Sequence, residues 1–170
     1  LNTLSSIIPE DQDLAVEFVQ KLSSAYRNIL EIRNEKVIPL ERELETLHAY
    51  VFLLELRFRD KLKVEVNIDE PGEDYIIPLT LQILIENAVK HNIVSLSKPL
   101  TVSISFDGDH IVVSNNLQVR RQAERSTKVG LQNIRERYQL LTGREVMIHQ
   151  DENEFKVQLP RIVNIQTVTA

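Results

Sequence analysis

Apolar residues along the chain repeat with two different periods. From Asp13 to Glu35 they recur at Leu14, Phe18, Leu22, Ala25, Ile29 and Ile32, and from Glu41 to Arg59 at Leu44, Leu47, Val51, Leu54 and Phe58. Both sets line one side of an α-helix. Pro9 and the acids of EDQD supply a start for the first helix, since negative charge suits the positive helix end, and Pro39 fits just ahead of the second. Two long amphipathic helices with a short connection predict an antiparallel hairpin. Such a hairpin has apolar surface left over for a partner, either the rest of the chain or another subunit.

Near Lys61 the period shortens to two. LKVEVNI alternates as a strand with one buried face, DEPGEDY is a turn by composition, and Pro78 opens a helix over LQILIENAVKHN that ends in the polar VSLSKP. LTVSISF, HIVVSN, REVMIHQ and EFKVQLP alternate as further strands, joined in pairs at DGD and DEN. Between the pairs, GLQNIRERYQLLTG places Leu131, Ile134, Tyr138 and Leu141 on one helix face, with Gly143 as its stop. The order strand, helix, two strands, helix, two strands predicts an α+β sheet with helices gathered on one face. The closing VNIQTVTA has weak strand character.

Composition narrows the chemistry. A chain of 170 residues with 42% hydrophobic content can bury a core without staples, and no segment approaches the roughly 20 apolar residues of a membrane span. The opening LNTLSSIIPEDQD has no basic region and no Met, so the chain is expected to be a piece of a longer protein. With no Cys, and with His48, His91, His110 and His149 scattered, neither a disulfide framework nor a built-in zinc site is expected. The net charge of -5 argues against general nucleic-acid affinity, while a phosphate-bearing small ligand needs only a locally positive pocket.

The helix LQILIENAVKHN carries the densest polar set. Asn87, Lys90 and His91 stand at i, i+3 and i+4 and share one edge, where an amide oxygen can coordinate Mg2+ and a Lys can meet a phosphate oxygen. The same spacing also describes a solvated helix edge. Glu86 either orients a metal or water or makes an ordinary polar contact, and His91 has no nucleophile paired with it in sequence. Asn115, in SNN at a strand end, can bond a planar heterocycle or its own backbone. QVRRQAERSTK brings Arg120, Arg121, Arg125 and Lys128 into one aperiodic run, suited either to closing over polyphosphate or to solvent. Gly130 stands where the next helix opens and could turn free N–H groups toward an anion. There is no Walker A loop, dinucleotide fingerprint or GxSxG elbow.

In combination the segments resemble the C-terminal part of LytS-like sensor histidine kinases, whose ATP-binding domain belongs to the superfamily shared with gyrase and MutL. LQILIENAVKHN resembles the N box, VGLQNIRERYQLL the second glycine box with its helix, and RFRDKLKVEVNID and YIIPLTLQ the region between hairpin and nucleotide domain. The resemblance runs from the first residues to about Arg161. It implies a two-layer α/β sandwich of Bergerat type with a mixed, mostly antiparallel sheet, preceded by the helical hairpin. The implied division is 1–61 for the truncated dimerisation region, 62–162 for the ATP-binding domain and 163–170 for a tail.

By the same resemblance Asn87 is the Mg2+ ligand and Glu86 the catalytic acidic residue beside it. Lys90, His91, Asn115, Lys128, Gly130 and Leu131 form the nucleotide-contacting set, and Leu117 to Lys128 is the ATP lid. The cofactors would be ATP and Mg2+. The reaction would carry the γ-phosphate to a His upstream of Leu1 and then to a response-regulator Asp. The implied partners are a second copy through the helical region and a response regulator of the LytTR DNA-binding class. The implied location is the cytoplasmic part of a membrane-anchored protein that does not itself bind nucleic acid. Three departures matter: Asn115 stands where many relatives have Asp, and Leu117 and Lys128 stand where glycines are usual. A mispaired adenine contact would weaken binding by about 1 to 3 kcal/mol. The departures also admit a second function, a dimerising nucleotide-binding scaffold without turnover.

Overall fold

The computed structural model describes residues 2–120 and 129–163. A short helix, α1 (Asn2–Ile7), precedes α2 (Gln12–Ile32). Asp11 caps α2, its carboxylate accepting the Leu14 N–H at 2.9 Å, so the EDQD start works through a side-chain cap as well as through charge. Helix α3 (Leu40–Phe58) returns antiparallel to α2. Arg42 pairs with Glu31 at 2.9 Å near the closed end, while Leu53 and Leu56 pack on Ala15 and Phe18 toward the open one. The predicted face of α2 is only partly right: Phe18, Ala25 and Ile32 are buried, but Leu22 is exposed. Leu22 belongs to a second stripe with Val16, Val19, Tyr26 and Leu30, all exposed.

The main sheet contains β2 (Leu62–Asn67), β4 (Leu100–Asp107), β5 (His110–Asn116), β6 (Met147–Gln150) and β7 (Glu154–Pro160), in the order β2-β4-β5-β7-β6. Only β2 and β4 are parallel, and α4 (Thr80–His91) supplies the crossover that a parallel pair requires. The sheet is therefore mixed and mostly antiparallel, as expected. Two strands escaped the sequence reading: β1 (Ile38–Pro39) pairs with β3 (Tyr75–Ile76) at the foot of α3. Two-residue strands are too short to show any alternation. Gly108, at φ 55, lets Asp107 pair with His110 across a two-residue turn. Gly143, at φ 67, ends α5 (Val129–Thr142) by donating its N–H to the Gln139 carbonyl.

Alternation makes the sheet two-sided. Leu100, Val102, Ile104, Ile111, Val157 and Leu159 join Leu81 and Ile85 of α4 and Ile134 and Tyr138 of α5 in one core. The opposite face is polar, with Lys63 and Glu65 paired and Asn67 beside Ser103. The core does not stop at the sheet-forming half of the chain, because Leu40, Leu44, Leu47, Val51 and Leu54 of α3 belong to it. Arg161 closes the far end, pairing with the buried Asp74 at 2.6 Å and lying over the Phe106 ring.

A second buried acid is paired with no cation among the described residues. Glu43 of α3 is 2% exposed, and its carboxylate accepts the Leu79 and Leu81 N–H groups at 2.9 and 3.0 Å. Burial pushes its pKa up to about 7 from 4.5, outweighing the two backbone hydrogen bonds, which act to lower it. The folded protein therefore holds the Glu43 proton more tightly than the unfolded chain does. The resulting stability is complete below about pH 4.5 and is lost as the pH rises through about 7. Across that window the loss is on the order of 3 kcal/mol, taking about 1.4 kcal/mol per pKa unit. Urea denaturation of wild type and Glu43→Gln at pH 5 and pH 8 should show a steeper fall for wild type; equal falls would contradict the assignment.

Candidate functional site

Helix α4 presents the polar set on the side away from its core contacts. Leu81, Leu84, Ile85 and Ala88 are buried, Asn87 and His91 are half-buried, and Glu86 and Lys90 are exposed. The helix packs on β4, β5, α3 and α5. Asn87 therefore lies at the seam between α4 and α5, and Gly130, in the first turn of α5, meets it there. A Cβ built on Gly130 would stand 3.2 Å from the Ile83 Cγ2 and 3.8 Å from the Asn87 Nδ2. Two sequence segments more than forty residues apart thus come together at the two positions singled out in each. Leu131 follows in the same turn, half-buried against the core, and the N–H groups of this turn have no acceptor within the helix.

Asn115 occupies the central strand β5, opposite Val102 and Phe155, and is buried. It shares the helix-facing side of the sheet with Ile111 and Val113. Its Nδ2 donates to the Asn116 carbonyl at 2.8 Å, the local backbone bond allowed by sequence. That bond fixes which way the amide faces and leaves Oδ1 as the acceptor. Glu86 accepts from Gln82 Nε2 at 3.0 Å and lies beside Tyr50 of α3. Burial first, and the Glu86 carboxylate second, raise the Tyr50 phenol above its ordinary range. Partial burial and the neighbouring Lys90 charge lower the pKa of His91, favouring neutral imidazole.

The C-terminal end of α4 is fastened to the start of the predicted lid. Asn92 is buried; its Nδ2 donates to the Ala88 carbonyl at 2.9 Å and its Oδ1 accepts the Gln118 N–H at 2.6 Å. Arg120 Nε donates to the Asn92 carbonyl at 2.7 Å, so this Arg ties the segment after β5 to the negative end of α4. Lys128, Arg121 and Arg125 lie outside the described residues. Sequence reasoning missed Glu43, Tyr50 and Asn92 as site-shaping groups. A signal existed for the first, since Glu43 falls within the apolar arc of Leu40, Leu44 and Leu47.

The donor set suits a metal that arrives with its ligand. Among the described residues no cluster of three His, Asp or Glu side chains could hold a cation alone. One neutral amide oxygen at Asn87, next to a carboxylate at Glu86, matches the sparse protein ligation of Mg2+, which keeps waters and phosphate oxygens as its other ligands.

A histidine kinase family model matches residues 1–62. The Sensor protein LytS of Streptococcus agalactiae is 31% identical over 175 residues, covering 92% of this chain and 30% of that protein. The Sensor protein LytS of Bacillus subtilis is 38% identical over 92 residues, covering 54% of this chain and 16% of that protein. The chain thus spans about a third or less of the length of the curated relatives it matches. Among solved structures, the cytoplasmic segment of histidine kinase QseC aligns with a TM-score of 0.49 at 20% identity, over 86% of this chain and 92% of that one.

The tight approach at Gly130 is open to test. Gly130→Val adds three carbons where Ile83 already leaves 3.2 Å, and should cost about 1 to 3 kcal/mol by prying α5 from α4. Urea denaturation reads that loss, and unchanged stability would mean that the two helices do not meet there.

Proposed function

From its kinship with the LytS sensor histidine kinases over nine-tenths of its length, we propose that this chain is the Mg-ATP-binding, C-terminal part of such a kinase. The observation that carries the reading is the contact of Gly130 with Asn87. It supports a seam shared by a glycine that lets backbone approach closely, by the first turn of a helix, whose N–H groups have no acceptor within the helix, and by an amide oxygen. Asn115 Oδ1 would accept the adenine amino group from the floor of the pocket. Lys90 and the N–H groups of the first turn of α5 would meet phosphate oxygens, and Asn87 would hold Mg2+, which when bound neutralises phosphate charge. Glu86 would orient the attacking group. In the intact protein a His nitrogen upstream of this chain would attack the γ-phosphorus, ADP would leave, and the phosphoryl group would pass to a response-regulator Asp. That protein would be membrane-anchored; among the described residues no helix is long and apolar enough to cross a membrane.

A second reading keeps nucleotide binding and drops turnover. It is favoured by Asn115, which offers adenine a neutral acceptor where the resemblance calls for a charged one. Restoring the upstream segment and seeking acid-labile phosphate on its His separates the two readings: binding with no label, even with the regulator present, would leave the scaffold.

Calorimetry tests the shared premise. Wild type should bind ATP in the presence of Mg2+, and Asn87→Ala should weaken binding by at least about tenfold, or 1.4 kcal/mol. Absence of heat from wild type at saturating ATP would sink the nucleotide-binding reading.

The exposed stripe of Val16, Val19, Leu22, Tyr26 and Leu30 on α2 supports assembly as a homodimer through the helical region. Light scattering should give twice the 19.7 kDa chain mass, and Tyr26→Glu with Val19→Glu should return it to one chain. A wild-type monomer at high concentration would count against the stripe as a dimer face.

A further inference from the structure

Helix α4 begins without a cap of its own. Its N-cap residue is Leu79, in the left-handed conformation at φ 63, and a Leu side chain accepts no hydrogen bond. Helices normally begin at Ser, Thr, Asp or Asn because the first N–H groups need an acceptor, and here that end is buried, where water cannot serve. Glu43 does the work from another helix: one carboxylate oxygen takes the N–H of Leu79 and the other that of Leu81, across 36 and 38 residues of sequence. The positive end of the helix favours the same placement. Tyr138 of α5 is wholly buried nearby, and the Glu43 carboxylate helps raise its phenol. Two turns further along α3, Tyr50 lies against Glu86 on α4. The hairpin's second helix thus touches α4 at its start and at the polar edge.

We propose that Glu43 is a positioning residue for the nucleotide site: by capping α4 from the helical hairpin it sets where Asn87 and Lys90 stand relative to α5 and β5. This rests on the nucleotide-binding reading above. Asn87 is six residues beyond Leu81, about 9 Å along the helix axis, so a shift or fraying of the first turn reaches it with little attenuation. Gly130 lies so near this stretch of α4 that a Cβ there would stand 3.2 Å from Ile83 and 3.8 Å from the Asn87 amide, so a shift of α4 changes the seam directly. No polar side chain within the first turn of α4 substitutes for Glu43; Thr80 Oγ1 is buried there without a partner.

Three variants test the idea by calorimetry with Mg-ATP and by amide hydrogen exchange on the same chain. Glu43→Gln keeps the shape but offers one acceptor and turns an NH2 toward a backbone N–H. Glu43→Ala removes both acceptors. The third combines Glu43→Gln with Asn87→Ala. The expected result is a fall in ATP affinity of about fivefold or more for Glu43→Gln and a larger one for Glu43→Ala. Exchange should speed up at Leu79 and Leu81 while β5 amides stay protected. In the Asn87→Ala background Glu43→Gln should add little, because its effect passes through the group already removed. A purely structural Glu43 would instead give additive losses, or faster exchange at Leu79 and Leu81 with full ATP affinity, and either result overturns the proposal. If Glu43→Ala fails to fold, Glu43→Gln alone decides. Wild type that binds no Mg-ATP sinks the nucleotide reading and this proposal with it, whereas wild-type binding matched by Glu43→Gln sinks only the proposal.

Discussion

The structure depends on α4 being held at both ends, at its start by a side chain of another helix and at its finish by its own capping residue. A helix of 12 residues is too short to stand by itself, and this one starts inside the core, where an open N–H group costs more than a hydrogen bond returns. The Glu43 carboxylate settles the start and Asn92 the finish, the latter by folding its amide back to Ala88 and reaching out to Gln118. Between those fixings the apolar side of α4 meets the sheet and its polar edge is left at the α5 seam. The coexistence of a buried helix and a binding edge follows from that arrangement: no charge on α4 itself has to be buried.

Much of the architecture was legible because burial leaves a period. Strands β2, β4, β5 and β7 and helices α2 to α5 coincide with runs whose apolar residues recur at two or at three and four, while β6, exposed at all four positions, was reached only through the run that includes the buried Val146. What was lost had no period to show. Strands β1 and β3 have two residues each, and Leu22 sits at a helical angle that fits either stripe of α2. The candidate site was legible in pieces. Spacing put Asn87 and Lys90 on one edge but could not bring Gly130 to it, since that contact joins two helices through the fold; only resemblance linked them. Asn115 shows how an ambiguity resolves: the local backbone bond is made by Nδ2, and making it commits Oδ1 to the other role. For Glu43 the apolar arc of Leu40, Leu44 and Leu47 announced burial but not the partners, which are backbone N–H groups that every residue carries and no sequence advertises.

Burial of Glu43 also explains why an acid was retained on an otherwise apolar helix face. An apolar replacement would fill the space and remove the desolvation cost, yet would leave two buried donors at the start of α4 without acceptors. The two backbone hydrogen bonds offset part of the desolvation of the carboxylate, and burial still prevails, which leaves the pKa raised to about 7.

The two helices of the hairpin consequently face different tasks. Along α3, Leu40, Leu44, Leu47, Val51 and Leu54 share the core of the sheet, and Glu43 fixes α4, so α3 cannot leave without unroofing that core. Helix α2 gives the main core only Ile32, and otherwise rests on a satellite cluster in which Ile7, Ala15 and Phe18 are the buried members. Its opposite stripe is apolar and open. Since the cost of moving an element scales with the apolar surface it must expose, α2 is much the easier of the two to re-pair, and α3 the one whose position the nucleotide site would register. A partner acting on α2 would therefore be felt at α4 by way of α3, which meets α4 through the Glu43 carboxylate at its start, through Tyr50 at Glu86 and through the shared apolar core.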